Sequence, residues 1–323
     1  MSETAAEGTI VTLTTNPSYD RTVALPEPLE RGAVHRVAAM TSQAGGKGVN
    51  IARAAAAAGL TTVAVLPARP DDPIVHELAA AGIVCRPAPP AGDPRVNLTL
   101  TEPDGTTTKL NGPGAEVTAT HLDELAATLV RHAHEGTWTV LAGSLPPGAP
   151  ATFYADLVPR LRTASRVAID TSDAPLAALI DRLPRDAPDL LKPNAEELAS
   201  VTGTDAVALE ADPVAAAKAS RTLIERGVGA VLATLGGRGA VLVDSDGGWY
   251  APPPPTTVVS TVGAGDSTLF GYLLGSLRAL PAADRLALAV AYGAAAAGLP
   301  GTTIPHPDDL HPERVAVQSL DLS

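Results

Sequence analysis

The sequence predicts an α/β fold: three layers (α/β/α) around a mostly parallel central sheet, with a small β-sheet lid. Three observations carry that expectation. From His121 onward, strand-length apolar runs alternate with helical stretches, through Trp138 to Ala142, Arg166 to Ile169, Leu190 to Lys192 and Ala230 to Thr234, the pattern of parallel strands joined by right-handed crossovers. Before that, Arg95 to Thr101 and Thr106 to Leu110 flank Pro103-Asp104-Gly105, a hairpin signal that interrupts the alternation and so leaves the main sheet. Finally, 323 residues with 45% hydrophobic but only 3% aromatic content require a core of Ala, Val and Leu with close helix–sheet packing.

Thr9 to Thr15 is rich in β-formers, and Asn16-Pro17-Ser18-Tyr19-Asp20 breaks it with turn chemistry. Asp20 would then sit beyond the carboxyl end of a strand, where α/β sheets collect ligands, although a turn aspartate also commonly bonds its own backbone. Gly32 to Met40 alternates like a strand and, with the hairpin, forms the lid. The whole chain, 1–323, reads as a single domain with lid segments at about 16–45 and 94–112.

Gln43 to Arg53 contains Gly45, Gly46 and Gly48, which let backbone approach a ligand, and opens a helix that runs through alanines to Gly59. Asn50 falls in its first turn, where an amide both donates and accepts, as a polyol requires; Lys47 offers a point charge to a phosphate. The spacing is not that of a nucleotide P-loop. Thr62 to Leu66 and Ile83 to Arg86 read as strands around a helix from Pro73 to Ala81. Arg95, at the start of a lid strand, is either a phosphate ligand or a solvated edge residue.

In the second half, helices are expected to about His134, from Pro150, to Leu183, from Ala195 to Val201 and from Pro213 to Arg226. The strand-end loops hold the suggestive residues: Gly143-Ser144-Leu145-Pro146-Pro147-Gly148, Asp170, and Lys192 to Glu197. Asn194 and Glu197 are spaced either to order the water shell of Mg²⁺ or to form a capping box. Gly236, Gly237 and Gly239 follow a strand and either cradle phosphates or make a tight hairpin into Ala240 to Asp244. Thr261 to Thr268 opens the helix Leu269 to Leu280. Gly263, Ala264 and Gly265 leave bare N–H groups at a helix N-terminus beside Asp266, an anion hole next to a candidate base.

Composition excludes other classes. A net charge of −12 argues against nucleic-acid binding. Cys85 is the single cysteine, so no internal disulfide forms and a reducing, cytoplasmic location fits. Met1 to Gly8 is polar and acidic, unlike a signal peptide, and Leu286 to Leu299 is too short to span a bilayer. His132 and His134, two apart on a helix, make no metal pair.

Thr12 to Asp20, Ala44 to Arg53, Gly143 to Gly148, Leu191 to Leu198 and Ser260 to Ser267 occur in an order that resembles the PfkB (ribokinase-like) carbohydrate kinases, in the branch acting on phosphosugars. The resemblance runs from about Ile10 to Thr302. It implies ATP-dependent transfer to a primary hydroxyl of a ketohexose phosphate, fructose 1-phosphate first, with tagatose 6-phosphate and fructose 6-phosphate as alternatives. By the same resemblance Asp266 is the base and Gly263, Ala264 and Gly265 the anion hole. Asp20, Gly45, Gly46, Lys47 and Asn50 hold the sugar, with Arg95 and Ser144 toward its phosphate. Lys192, Asn194, Thr234, Gly236, Gly237 and Gly239 line ATP, and Glu197 reaches Mg²⁺ through water. A monovalent cation such as K⁺ near the anion hole and a homodimer through the β-lid are implied as well; no nucleic acid and no membrane are. The chain departs from the family at Leu66 to Asp72, which replaces a glycine-rich stretch, at Thr99, where the branch often has lysine, and at Ala115, where proline is usual. A neutral-sugar or nucleoside kinase and a non-catalytic sugar-phosphate sensor are the rival readings.

Overall fold

The structure is a computed structural model describing residues 8–322; the stretch 1–7, most of the segment read as polar and acidic, lies outside the described residues. The first half contains β1 (Thr9–Thr14), β2 (Ser18–Ala24), β3 (Ala39–Gly45), α1 (Lys47–Ala57), β4 (Thr61–Pro67), α2 (Pro73–Ala80), β5 (Val84–Ala88), β6 (Arg95–Thr101) and β7 (Thr107–Asn111). There follow α3 (Ala119–His132), β8 (Trp138–Ala142), α4 (Phe153–Leu161), β9 (Arg166–Asp170), α5 (Asp173–Asp181), β10 (Leu190–Leu191), α6 (Ala195–Thr202), α7 (Ala206–Ala211) and α8 (Pro213–Glu225). The last part adds β11 (Ala230–Thr234), β12 (Ala240–Asp244), β13 (Gly248–Ala251), α9 (Ala264–Leu277), α10 (Ala282–Ala297) and β14 (Gln318–Ser319).

A 10-stranded sheet runs in the order β14-β13-β12-β11-β10-β9-β8-β1-β4-β5, and a separate 4-stranded sheet in the order β3-β2-β6-β7. From β5 across to β11 every pairing in the large sheet is parallel, while β12, β13 and β14 add on antiparallel. Strand periodicity sorts the core into two faces. Val11 and Leu13 of β1 point into a cluster with Leu125, Leu129, Tyr154 and Leu198. Ile10 points the other way, with Trp138 and Val140, against Phe270, Leu273 and Tyr292 of α9 and α10. The aromatic shortage leaves few ring pairs; Phe270 and Tyr292 meet edge to face with centroids 5.0 Å apart.

Two expectations about the lid are corrected. The strand-like reading of Gly32 to Met40 fails before Ala39: 31–38 form no strand, although Ala38 N–H donates to Ala24 O at 2.9 Å, and β3 pairs with β2 from Ala39 to Gly45. The turn reading of Asn16 to Asp20 is also too long: β2 begins at Ser18, so Asp20 lies within a lid strand, between Gln43 and Asn97 in register, and not beyond a core strand end. Lateral pairing on both sides overrides the local turn preference. The short elements α7, β13 and β14 and the long helix α10 went unread in the sequence, and α9 begins at Ala264, ahead of the apolar stretch that announced it. No helix among the described residues is long and apolar enough to cross a membrane.

Candidate active site

The carboxyl ends of the central strands lie side by side: Thr14 pairs with Ala142, and Ala142 with Asp170. Lys192 follows directly after β10, and an isolated bridge sets Asn194 beside Thr234. Residues far apart in sequence therefore share one rim, as expected for ligand sites of open α/β sheets.

Two cavities open along this rim. The smaller, of about 150 Å³, is lined by Gly46, Lys47, Arg95 and Ser144, four of the residues read as sugar-binding, together with Asn16 and Ser172. The larger, of about 530 Å³, is lined by Asn194, Thr234, Gly236, Gly237 and Gly239 at one side. Ala264 and Gly265 close it on the other.

Gly45 and Gly46 are dictated by their surroundings. Gly46 has φ +117, a conformation L side chains rarely adopt, and a Cβ on Gly45 would lie 2.3 Å from a carboxylate oxygen of Asp20. That carboxylate accepts hydrogen bonds from Ser18 Oγ at 2.7 Å and Asn97 Nδ2 at 2.9 Å, so the lid holds it against the glycine turn. The Ala44 N–H just ahead donates to both oxygens of Glu77, at 3.0 and 2.9 Å, which ties α2 to the end of β3. Ser144 is fixed through its backbone: its carbonyl accepts from Thr15 Oγ1 at 3.1 Å, while the buried Tyr154 hydroxyl donates to the neighbouring Gly143 carbonyl at 3.1 Å.

Between the cavities lies a buried charge network. Asp266, 7% exposed in the first turn of α9, accepts a 2.8 Å hydrogen bond at Oδ2 from Asn50 Nδ2. Burial raises its pKa, with the negative charge of Asp170 as the next cause, and the carboxyl is pushed up to about 6. Asp170 is fully buried between two ammonium groups, Lys47 Nζ at 2.6 Å and Lys192 Nζ at 3.1 Å. Burial opposes its ionisation, yet the two lysines together hold its pKa below the usual carboxylate range. Burial likewise works against the Lys47 ammonium, but Asp170 and then Asp266 outweigh it and raise the lysine's pKa.

Lys192 also adjoins the turn that opens α9: its Nζ is 3.6 Å from where a Gly265 Cβ would be. The helix cap is Gly263, φ +79, and helical backbone begins at Ala264, whose own N–H donates to Thr261 O at 3.4 Å, while the first-turn amides after it point off the N-terminus. Asn50 Oδ1 and Asn97 Oδ1 are buried acceptors with no partner among the described residues. Such atoms are costly unless a ligand or water completes them.

Asn194 and Glu197 form the capping box: Glu197 N–H donates to Asn194 Oδ1 at 2.8 Å, and Asn194 N–H to Glu197 Oε2 at 2.9 Å. One Glu197 oxygen is outside that exchange. Gly236 to Gly239 form the tight hairpin, with Leu235 N–H donating to Gly239 O at 2.8 Å, and Gly236, Gly237 and Gly239 also line the larger cavity. Arg95 donates through Nη1 to Gly112 O at 3.2 Å; burial lowers its pKa, against the pull of Asp20, and its Nε has no partner among the described residues. Sequence reasoning pointed to Asp170 without a role and missed Glu77, Asn97 and Ser172 entirely. Asp170 meets Lys47 across 123 residues, a pairing only the sheet order creates. No group of His, Cys, Asp and Glu among the described residues is arranged to hold a metal ion directly.

Residues 13–309 match the pfkB family carbohydrate kinases. A 1-phosphofructokinase of Haloferax volcanii is 37% identical over 306 residues, covering 93% of this chain and 95% of that protein. The structure of phosphofructokinase-2 from Escherichia coli in complex with substrates and products superposes with a TM-score of 0.84 at 28% identity, covering 93% of this chain and 96% of that one. The same enzyme in complex with potassium gives 0.83 at 26% identity, over 94% and 96%.

Proposed function

The chain belongs to the pfkB family of carbohydrate kinases, and from that premise we propose that it transfers the γ-phosphate of ATP to the free 6-hydroxyl of fructose 1-phosphate, yielding fructose 1,6-bisphosphate. One observation carries the reading: Asp266, bonded to Asn50 of the sugar-side helix, stands at the head of the helix whose first-turn residues Ala264 and Gly265 line the larger cavity.

In this reading the sugar occupies the smaller cavity and its lid. Asn50 Oδ1, Asn97 Oδ1 and the Asp20 carboxylate accept from its hydroxyls, while Arg95 and Ser144 take its phosphate. A guanidinium and an ammonium lining one small cavity favour an anionic sugar over a neutral one. ATP fills the larger cavity over Thr234, Gly236, Gly237 and Gly239, with Asn194 and Lys192 toward its phosphates. Asp266 removes the proton from the 6-hydroxyl, the oxygen attacks the γ-phosphorus in line, and ADP leaves. The amides at Gly263, Ala264 and Gly265 receive the charge spread over the equatorial oxygens, helped by the Lys47 and Lys192 ammonium groups.

Mg²⁺, when bound, neutralises the β- and γ-phosphate oxygens. Glu197 suits it through water, since one of its oxygens lies outside the capping box. A monovalent cation such as K⁺ fits beside the anion hole, where Thr302 Oγ1 is buried with no partner among the described residues and the Thr302 side chain borders Gly263. The lid exposes Met40, Val96 and Leu110, an apolar surface suited to a second copy of the chain in a homodimer. The acidic composition and the lone cysteine fit a cytoplasmic enzyme.

A coupled ADP-release assay with Mg²⁺ over fructose 1-phosphate, fructose 6-phosphate, tagatose 6-phosphate, ribose and adenosine tests this reading. The highest kcat/KM is expected on fructose 1-phosphate. A higher value on a 6-phosphate or a neutral sugar reassigns the substrate; no turnover, with ligands still raising Tm, makes the protein a sensor.

A further inference from the structure

Lys47 and Asn50 are three residues apart on α1, one turn of the same helix face, and Asn50 reaches Asp266. Lys47 is thereby in position to salt-bridge the base. It does not: among the described residues Asp266 has no ion pair, and Lys47 Nζ lies 2.6 Å from Asp170 Oδ1 instead. A lysine seated on Asp266 would occupy the oxygen that must accept the sugar proton and would make the carboxylate a weaker base. Asp170, reaching in from the end of β9 and held also by Lys192, competes for that ammonium and wins.

We propose that Asp170 is a positioning residue that draws Lys47 off Asp266, keeping the Asp266 carboxylate free while both lysines stay beside the path of the phosphoryl group. This deepens the function proposed above and rests on it for the role of Asp266. The charged groups facing Asp266 are Lys47 from α1, Asp170 from β9 and Lys192 after β10, with the Asn50 amide as its neutral partner. Glu197, at the head of α6, faces the two lysines and Asp170.

The test must separate movement of Lys47 from simple loss of a negative charge, because removing Asp170 by itself favours ionisation of Asp266. A double-mutant cycle does so. The acid limb of kcat/KM against pH is recorded for wild type, Asp170→Asn, Lys47→Met and the double variant. If Asp170 steers the lysine, Lys47→Met moves the limb upward by about one pH unit more in the Asp170→Asn background than in the wild type. Equal shifts in the two backgrounds overturn the proposal. Asp170→Asn leaves the buried Lys192 ammonium and the partly exposed Lys47 ammonium without their carboxylate, so if it does not fold the cycle is repeated with Lys192→Met throughout. Carboxyl ¹³C NMR of aspartate-labelled protein, with the Asp266 signal assigned through Asp266→Asn, reads the same cycle without turnover. An enzyme inactive on every sugar phosphate would refute the proposed function while this titration still decides the place of Lys47.

Discussion

Asn50 Nδ2 donates a 2.8 Å hydrogen bond to Asp266 Oδ2, joining residues 216 positions apart. The bond engages one oxygen of the carboxylate and leaves the other outside it, while Asn50 Oδ1 has no partner among the described residues. Asn50→Leu should lower kcat roughly 10- to 100-fold and raise KM for the sugar phosphate, with KM for ATP nearly unchanged. Steady-state kinetics with each substrate varied separately checks the split.

The raised pKa of Asp266, about 6, makes kcat/KM level above that pH and falling about tenfold per unit below it. Stability runs the opposite way. With its folded pKa above the unfolded value near 3.8, the carboxyl contributes stability at low pH that is lost as pH rises through about 6. Asp266→Asn should therefore raise Tm at pH 8 by about 2–6 °C, with the gain gone below about pH 4. Thermal melts of both proteins across that range measure it.

Arg95 and Gly45 probe the sugar side alone. Arg95→Ala should raise KM for fructose 1-phosphate about 10- to 100-fold through loss of a charge-assisted contact, with kcat changed little. Gly45→Ala drives a methyl into the Asp20 carboxylate, 2.3 to 2.6 Å from the three atoms of that group, and should raise the same KM at least as much. KM for ATP should stay within about twofold in both variants, and a coupled assay gives both constants.

Met40 is 61% exposed and Leu110 56% exposed on the lid. If that surface joins two copies, Met40→Glu should shift sedimentation velocity toward monomer and raise KM for the sugar, whose cover the lid forms, without altering the chain's melting cooperativity.

Most of the alternating strands and helices were legible because they are long enough to show their period, and β8 and β11 coincide with the runs read as Trp138 to Ala142 and Ala230 to Thr234. The two ends of the site were legible too, since glycine turns ahead of Asn50 and Asp266 need little beyond local chemistry. The link between them was not. Asp170 lies between Lys47 and Lys192 only because β9 sits between β8 and β10 in the sheet, and Glu77 holds Ala44 only because α2 packs beside β3. The lid was misread at Gly32 and Asp20 for the same reason: strands that pair sideways carry their instructions in their partners.

The most direct measurement is kcat of Asp266→Asn at saturating ATP, Mg²⁺ and fructose 1-phosphate. Loss of the base should lower it roughly 10² to 10⁴-fold while KM for ATP stays near that of the wild type. A variant that keeps wild-type kcat would remove Asp266 from the chemistry and contradict the account.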